Sequence, residues 1–202
     1  MGDKKIIVFD LDGVFWDDVQ MKLRKHLRTT STPIAQAFCE AVVLPLNSFP
    51  AMVARSTKDL KKGVLVKEAI DAARTLAEDG WEIFIRTSNP TIDTDELERL
   101  LAKRKVPIER VLETSSMAGK ADMIDGVRPV VVEDNPIVAL KAARRGCSVV
   151  LLVKDYNRFG SWLASKVNRS ITRIRAMDET VEAVRSLART EMPNRRKILS
   201  VA

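Results

Sequence analysis

Two aspartates two positions apart, Asp10 and Asp12, stand at the end of the apolar run Ile6-Ile7-Val8-Phe9 and just before Gly13. A buried strand that empties into a turn places such acids at the carboxyl edge of a sheet, where open α/β folds bind their ligands. Two further strand ends carry polar clusters. Thr87, Ser88 and Asn89 follow Ile83-Phe84-Ile85-Arg86, and Glu133 and Asp134 follow Val130-Val131-Val132. In a parallel sheet all these ends meet on one edge, so residues far apart in the chain can share a site. Acids from two strands suit a hard divalent cation, Mg²⁺, bound through one or two carboxylates together with substrate phosphate and water. The hydroxyls of Thr87 and Ser88, with the backbone amides that follow, suit phosphate oxygens. Taken singly, each cluster is more simply a turn or a helix start. Three in this order, each directly after a hydrophobic strand, make that coincidence hard to sustain.

The elements that must position these groups alternate. A helix runs through Asp79 and ends at Gly80, and a strand follows from Glu82 to Arg86. The pair Asp93 and Glu96 opens a helix over about Asp95 to Lys105, and a short strand lies near Val111. After Val130-Val131-Val132 come a helix from Ile137 to Arg145 closed by Gly146, a strand over Val149 to Val153, a short edge strand over Ile171 to Ile174, and an amphipathic helix over Asp178 to Arg189. This order predicts a parallel sheet with right-handed crossovers and helices on both faces. Residues 15–62 break the rhythm. Asp17 to Leu27 reads as a charged helix, and Ile34, Phe38, Ala41 and Val42 recur at helical spacing behind the start signal Thr32-Pro33.

A chain of 202 residues that is 46% hydrophobic can bury one substantial core and a small appendage. No stretch approaches the roughly 20 apolar residues of a membrane helix, and the amino terminus lacks a signal-peptide pattern. The expected setting is the cytoplasm, with no membrane partner. Cys39 and Cys147 lack metal spacing and read as buried small hydrophobes, and His26 lies on a basic face with Lys22, Arg24, Lys25 and Arg28. The net charge of +7 favours an anionic partner, and residues 15–62, with eight basic and four acidic side chains, carry an excess of +4. Arg195-Arg196-Lys197 lies in a carboxyl-terminal stretch expected to be flexible, where solubility is the simpler role and nucleic-acid contact the other. Oligomeric state is not legible.

With these motifs in sequence, the chain resembles the haloacid dehalogenase superfamily over residues 5 to about 155: Asp10-Leu11-Asp12-Gly13-Val14, then Thr87, then a lysine, then Glu133-Asp134. The resemblance implies an α/β, Rossmann-like three-layer core formed by residues 1–14 and 63–191. Residues 15–62 would form a small helical cap inserted after the first strand, and 192–202 a flexible basic tail. It implies that Asp10 is a nucleophile that forms an aspartyl phosphate, and that Asp12 is the general acid and then the general base. Mg²⁺ would be held by the Asp10 carboxylate, the Asp12 carbonyl and Asp134. The lysine is best matched by Lys120 in Ala118-Gly119-Lys120-Ala121-Asp122, ahead of Lys103 and Lys105. Glu133 departs from the common pattern, and it either reaches the metal or orders Asp134.

The implied activity is hydrolysis of a small phosphorylated substrate. Phe15 and Trp16 either stack on a base or sugar or pack the cap against the core. Tyr156-Asn157-Arg158 and Thr172-Arg173-Ile174 resemble elements of the 5'-deoxyribonucleotidase branch, which implies a nucleoside monophosphate. The competing expectations are a polynucleotide end phosphatase, in which nucleic acid would be the partner, and a non-catalytic ligand-binding module on the same scaffold.

Overall fold

Five consecutive buried residues, Ile6–Asp10, form the strand β1 at the centre of a six-stranded sheet. The computed structural model describes residues 4–16, 65–88, 92–114, 119, 122–154 and 157–199, the last ten of these as backbone only. In chain order the elements are β1, α1 (Lys67–Glu78), β2 (Glu82–Thr87), α2 (Thr94–Lys103), β3 (Arg110–Glu113), β4 (Val130–Glu133), α3 (Pro136–Arg144), β5 (Val149–Leu152), α4 (Arg158–Val167), β6 (Ile171–Ile174), a 3₁₀ turn (Met177–Glu179) and α5 (Thr180–Leu199). The strand order is β3-β2-β1-β4-β5-β6, and every pairing is parallel. The chain order reverses between β1 and β4, so the carboxyl ends of these two neighbours flank the switch point where such sheets take ligands.

Alternation along the strands divides the core. Ile7, Phe9, Ile83, Ile85, Val132 and Val150 face Leu76, Leu97, Leu101 and Val184, which come from α1, α2 and α5. The opposite face of β4, β5 and β6 packs Val131, Val149, Leu151 and Ile171 against Ala139, Ala142, Ala143 and Ala164 of α3 and α4. Small residues let those two helices approach closely. At Gly160 an added Cβ would sit 2.8 Å from Pro136 Cγ, inside van der Waals contact, so this glycine lets α4 seat against the start of α3.

Helix starts follow local chemistry. Asp93 Oδ1 accepts from Glu96 N at 2.9 Å, and Asn135 Oδ1 accepts from Ile137 N at 2.9 Å ahead of Pro136 in the first turn of α3. Cys147 is buried under α3 as expected. Two elements differ from the pattern read in the sequence. Helix α4 had no forecast, because Gly160, Ser161 and Ser165 lower its propensity and several of its apolar side chains point outward. Helix α5 continues to Leu199, past Arg189 and through most of the stretch expected to be a flexible tail. The expected cap, apart from Phe15 and Trp16, lies outside the described residues, as do Cys39 and His26. Among the described residues no helix is long and apolar enough to cross a membrane.

One ion pair ties the first crossover helix to the last helix. Arg185 donates from Nε and Nη2 to the two carboxylate oxygens of Asp79, at 2.8 and 3.1 Å. The guanidinium holds the Asp79 carboxyl below its usual range. A lowered folded-state value stabilises the fold above the unfolded carboxylate's titration near pH 4, and the contribution is lost as pH falls through the folded value. Asp79→Asn should therefore lower the thermal midpoint at pH 7, with the gap to the parent protein closing as the pH is taken below about 4; calorimetry across that range checks it.

Candidate metal and phosphoryl-transfer site

The end of β1 is fixed before any ligand is considered. Leu11 N donates to Asp10 Oδ1 at 2.7 Å and so orients the carboxylate. The chain then turns through residues 11–16, where Phe15 N and Trp16 N both donate to Leu11 O and Gly13 N donates to Trp16 O. Gly13 has φ +81°, a conformation that carries a penalty for side chains with a Cβ, which accounts for glycine directly after Asp12. Asp12 pairs with Trp16 as an isolated bridge and is itself buried.

Phe15 packs edge-to-face on Phe9, with ring centroids 5.2 Å apart, and is wholly buried; Trp16 is 2% exposed and bridges to Leu65. Both side chains are thus packed among described core residues, Phe15 on Phe9 and Trp16 beside Leu65. Their physical task is to clamp the turn that carries Asp12.

At the end of β4 the register Phe9↔Val132 sets Glu133 beside Asp10 on the neighbouring strand. One carboxylate oxygen from each of Asp10, Glu133 and Asp134 lies within 4.8 Å of the others, and all three residues are buried. Glu133 Oε1 accepts from Asp134 N at 3.1 Å and Asn135 N at 3.0 Å, so this side chain does order the loop carrying Asp134, while the residue also belongs to the acidic cluster. Three buried carboxylates in such proximity fit a hard divalent cation, whose preferred ligands are carboxylate, carbonyl and water oxygens. The same crowding without compensating positive charge would be strongly unfavourable.

Thr87 ends β2 and is buried beside β3, where Thr114 N donates to its carbonyl at 2.9 Å; Ser88 follows, half-buried. Asn89 and Lys120 lie outside the described residues. Gly119 and Asp122, which are described, are each held. Arg86 Nη1 donates to the carbonyls of Gly119 and Asp122, at 3.1 and 2.7 Å, and Arg145 Nη1 reaches Asp122 Oδ1 at 2.6 Å. Burial pulls the Arg86 guanidinium below its usual value and Asp122 opposes this, but an arginine starts so high that it keeps its charge.

Two positioning residues were not foreseen from the sequence. Arg86 was visible as a charge ending an otherwise apolar strand. Asn157 was visible only as part of a family-like tripeptide. The Asn157 side chain is buried and donates to both Asp134 O and Leu152 O while accepting from Lys154 N at 2.8 Å. It therefore staples the loop after β4 to the loop after β5 and fixes the backbone at Asp134.

No protein-family model matches the sequence, and no curated protein matches it. Solved structures do. A conserved haloacid dehalogenase-like protein from Agrobacterium tumefaciens superposes with TM-score 0.58 at 16% identity, covering 92% of this chain and 99% of that one. A predicted phosphatase from Clostridium acetobutylicum gives TM-score 0.58 at 15% identity, covering 91% and 99%. The D,D-heptose 1,7-bisphosphate phosphatase from B. bronchiseptica, complexed with magnesium and phosphate, gives TM-score 0.50 at 14% identity, covering 90% and 98%. The chain has the haloacid dehalogenase-like fold, as its motifs implied.

If the acidic cluster holds Mg²⁺, a titration with the ion should raise the thermal midpoint, since a ligand at about a hundred times its Kd adds about 2.7 kcal/mol to stability. Asp134→Asn should abolish most of this shift. Asn157→Leu should keep the fold yet weaken Mg²⁺ binding by about tenfold or more, as loss of an outer-shell partner commonly does; isothermal titration calorimetry reads both variants.

Proposed function

We propose that the chain is a Mg²⁺-dependent phosphomonoesterase that works through an aspartyl phosphate, with a nucleoside 5'-monophosphate as its favoured substrate and another small phosphorylated metabolite next. The observation that carries the reading is the convergence of Asp10, Glu133 and Asp134 within 4.8 Å, one turn away from Asp12, in this fold. A fold of this kind bound to magnesium and phosphate in the heptose bisphosphate phosphatase from B. bronchiseptica supports it.

In the proposed reaction an Asp10 carboxylate oxygen attacks phosphorus as the bond to the leaving oxygen breaks, and Asp12 gives that oxygen its proton. Asp12, now a carboxylate, takes a proton from water; the water oxygen attacks phosphorus, the bond to Asp10 breaks, and phosphate leaves with both aspartates restored. Asp10, Asp134, the Asp12 carbonyl and Glu133 would hold the cation, which when bound offsets the repulsion between an anionic nucleophile and an anionic substrate. Thr87, Ser88 and Asn89 would receive phosphate oxygens, and Lys120, in the segment gathered by Arg86, would neutralise one of them. Residues 15–62 would act as the cap over a core of 1–14 and 63–191, in a cytoplasmic enzyme. The preference for a nucleotide rests on the resemblance at Tyr156-Asn157-Arg158 and Thr172-Arg173-Ile174.

A second reading, a polynucleotide end phosphatase, is favoured by one observation, a cationic groove beside α4. Hydrolysis of mononucleotides outpacing that of oligonucleotide termini would select the first reading. With Mg²⁺ and a generic aryl phosphate, the parent protein should turn over and Asp10→Asn should lose at least about a thousandfold in rate, as removal of a nucleophile does. Comparable rates in the two would sink the assignment, and tight binding of an intact ligand with no turnover would point instead to a binding module.

A further inference from the structure

Helix α4 and the edge strand β6 border a groove of about 680 Å³ whose walls carry Lys154, Arg158, Arg173 and Arg175, with Ser165 between them and no acidic residue among the described lining. Four cations around one groove make an anion the fitting occupant. Among the described residues, Glu68 and Asp178 line a neighbouring recess that Arg175 also borders, and the Glu179 carboxylate accepts from the Arg175 backbone N at 3.2 Å.

Beside the groove, α4 presents a row unlike an ordinary solvent face. Arg158, Trp162 and Lys166 follow one another at i, i+4 spacing, so they lie along one side of the helix as cation, aromatic and cation. Phe159 tilts against Trp162 with ring centroids 5.9 Å apart and planes at 32°. The two rings are 55% and 45% exposed, which leaves flat apolar surface in water next to positive charge. Residues Arg158–Val167 contain no aspartate or glutamate.

We propose that this surface binds single-stranded nucleic acid, the groove cations following the phosphates while Trp162 and Phe159 take bases on their faces. The chemistry of such sites is a positive groove with aromatic platforms, and it requires unpaired bases because a duplex hides their faces. A second copy of this chain fits less well. Twofold pairing of α4 with itself would bring Arg158 toward Lys166 of the other copy with no acid in the helix to offset them. An acidic peptide would engage the cations but leave the aromatic pair unused. The polynucleotide-end reading draws on this same groove, but binding here needs neither metal nor turnover, so its failure is distinguishable from failure of the phosphatase reading.

The test is fluorescence anisotropy of a labelled oligodeoxythymidine with the full chain, in EDTA, across a salt series. Binding should weaken with salt along a log–log slope of about −0.7 for each phosphate neutralised, so about −1.4 or steeper with Arg173 and Arg175 engaged. Arg173→Gln with Arg175→Gln should weaken binding at least tenfold and flatten the slope by about 1.4. Trp162→Ala should weaken it by about fivefold or more with the slope unchanged, the mark of a lost stacking platform. Thermal unfolding confirms that each variant is folded. The proposal is overturned by absence of binding, by heparin or an acidic peptide binding as well as the oligonucleotide with Trp162→Ala silent, or by salt-resistant self-association that Trp162→Ala disperses.

Discussion

Three carboxylates crowded into a buried pocket at the carboxyl edge of the sheet set the terms for the rest of this structure. At 4.8 Å two like charges repel by roughly 3 to 4 kcal/mol even at an effective dielectric of about 20, so Asp10, Glu133 and Asp134 cannot be left to find their own positions. They are brought together because β1 and β4, though far apart in the chain, are neighbours at the point where the strand order reverses. A scaffold that forces such proximity creates an affinity for a compensating cation. In this chain the same scaffold places Asp12 one turn away.

Much of the buried hydrogen bonding near the edge serves to hold that arrangement. Leu11 N fixes Asp10, Glu133 gathers the amides of Asp134 and Asn135, and Asn157 fastens the Asp134 carbonyl to the loop after β5. Phe9 and Phe15 lock the turn through contact between their rings, and Arg86 donates to the carbonyls of Gly119 and Asp122. Each of these contacts contributes modestly to stability, about 1 kcal/mol, but in the proposed reaction they would together reduce the reorganisation needed as charge moves.

The sheet was legible because its strands are continuous apolar runs and its turns carry glycine, and the acidic edge was legible because polar clusters follow directly on those runs. Helix α4 was not, since a helix that exposes Phe159, Trp162, Leu163 and Val167 gives no inward apolar period, and its glycine and serines argue against it locally. The position of Asn157 beside Asp134 depends on strand register between β4 and β5, which spacing in the chain does not encode. Phe15 and Trp16 show the opposite difficulty. Aromatics next to a turn that carries acids serve packing and binding equally well in sequence, and their depth of burial is not encoded in the spacing.

The central claim is that Asp10 becomes covalently phosphorylated, and reductive trapping tests it most directly. Borohydride added during turnover of an aryl phosphate with Mg²⁺ reduces an aspartyl phosphate to homoserine, and mass spectrometry of the digested protein locates the change. The account predicts homoserine at position 10 in a substrate-dependent manner. Modification of another residue, or steady turnover with Asp10 unaltered, would contradict it.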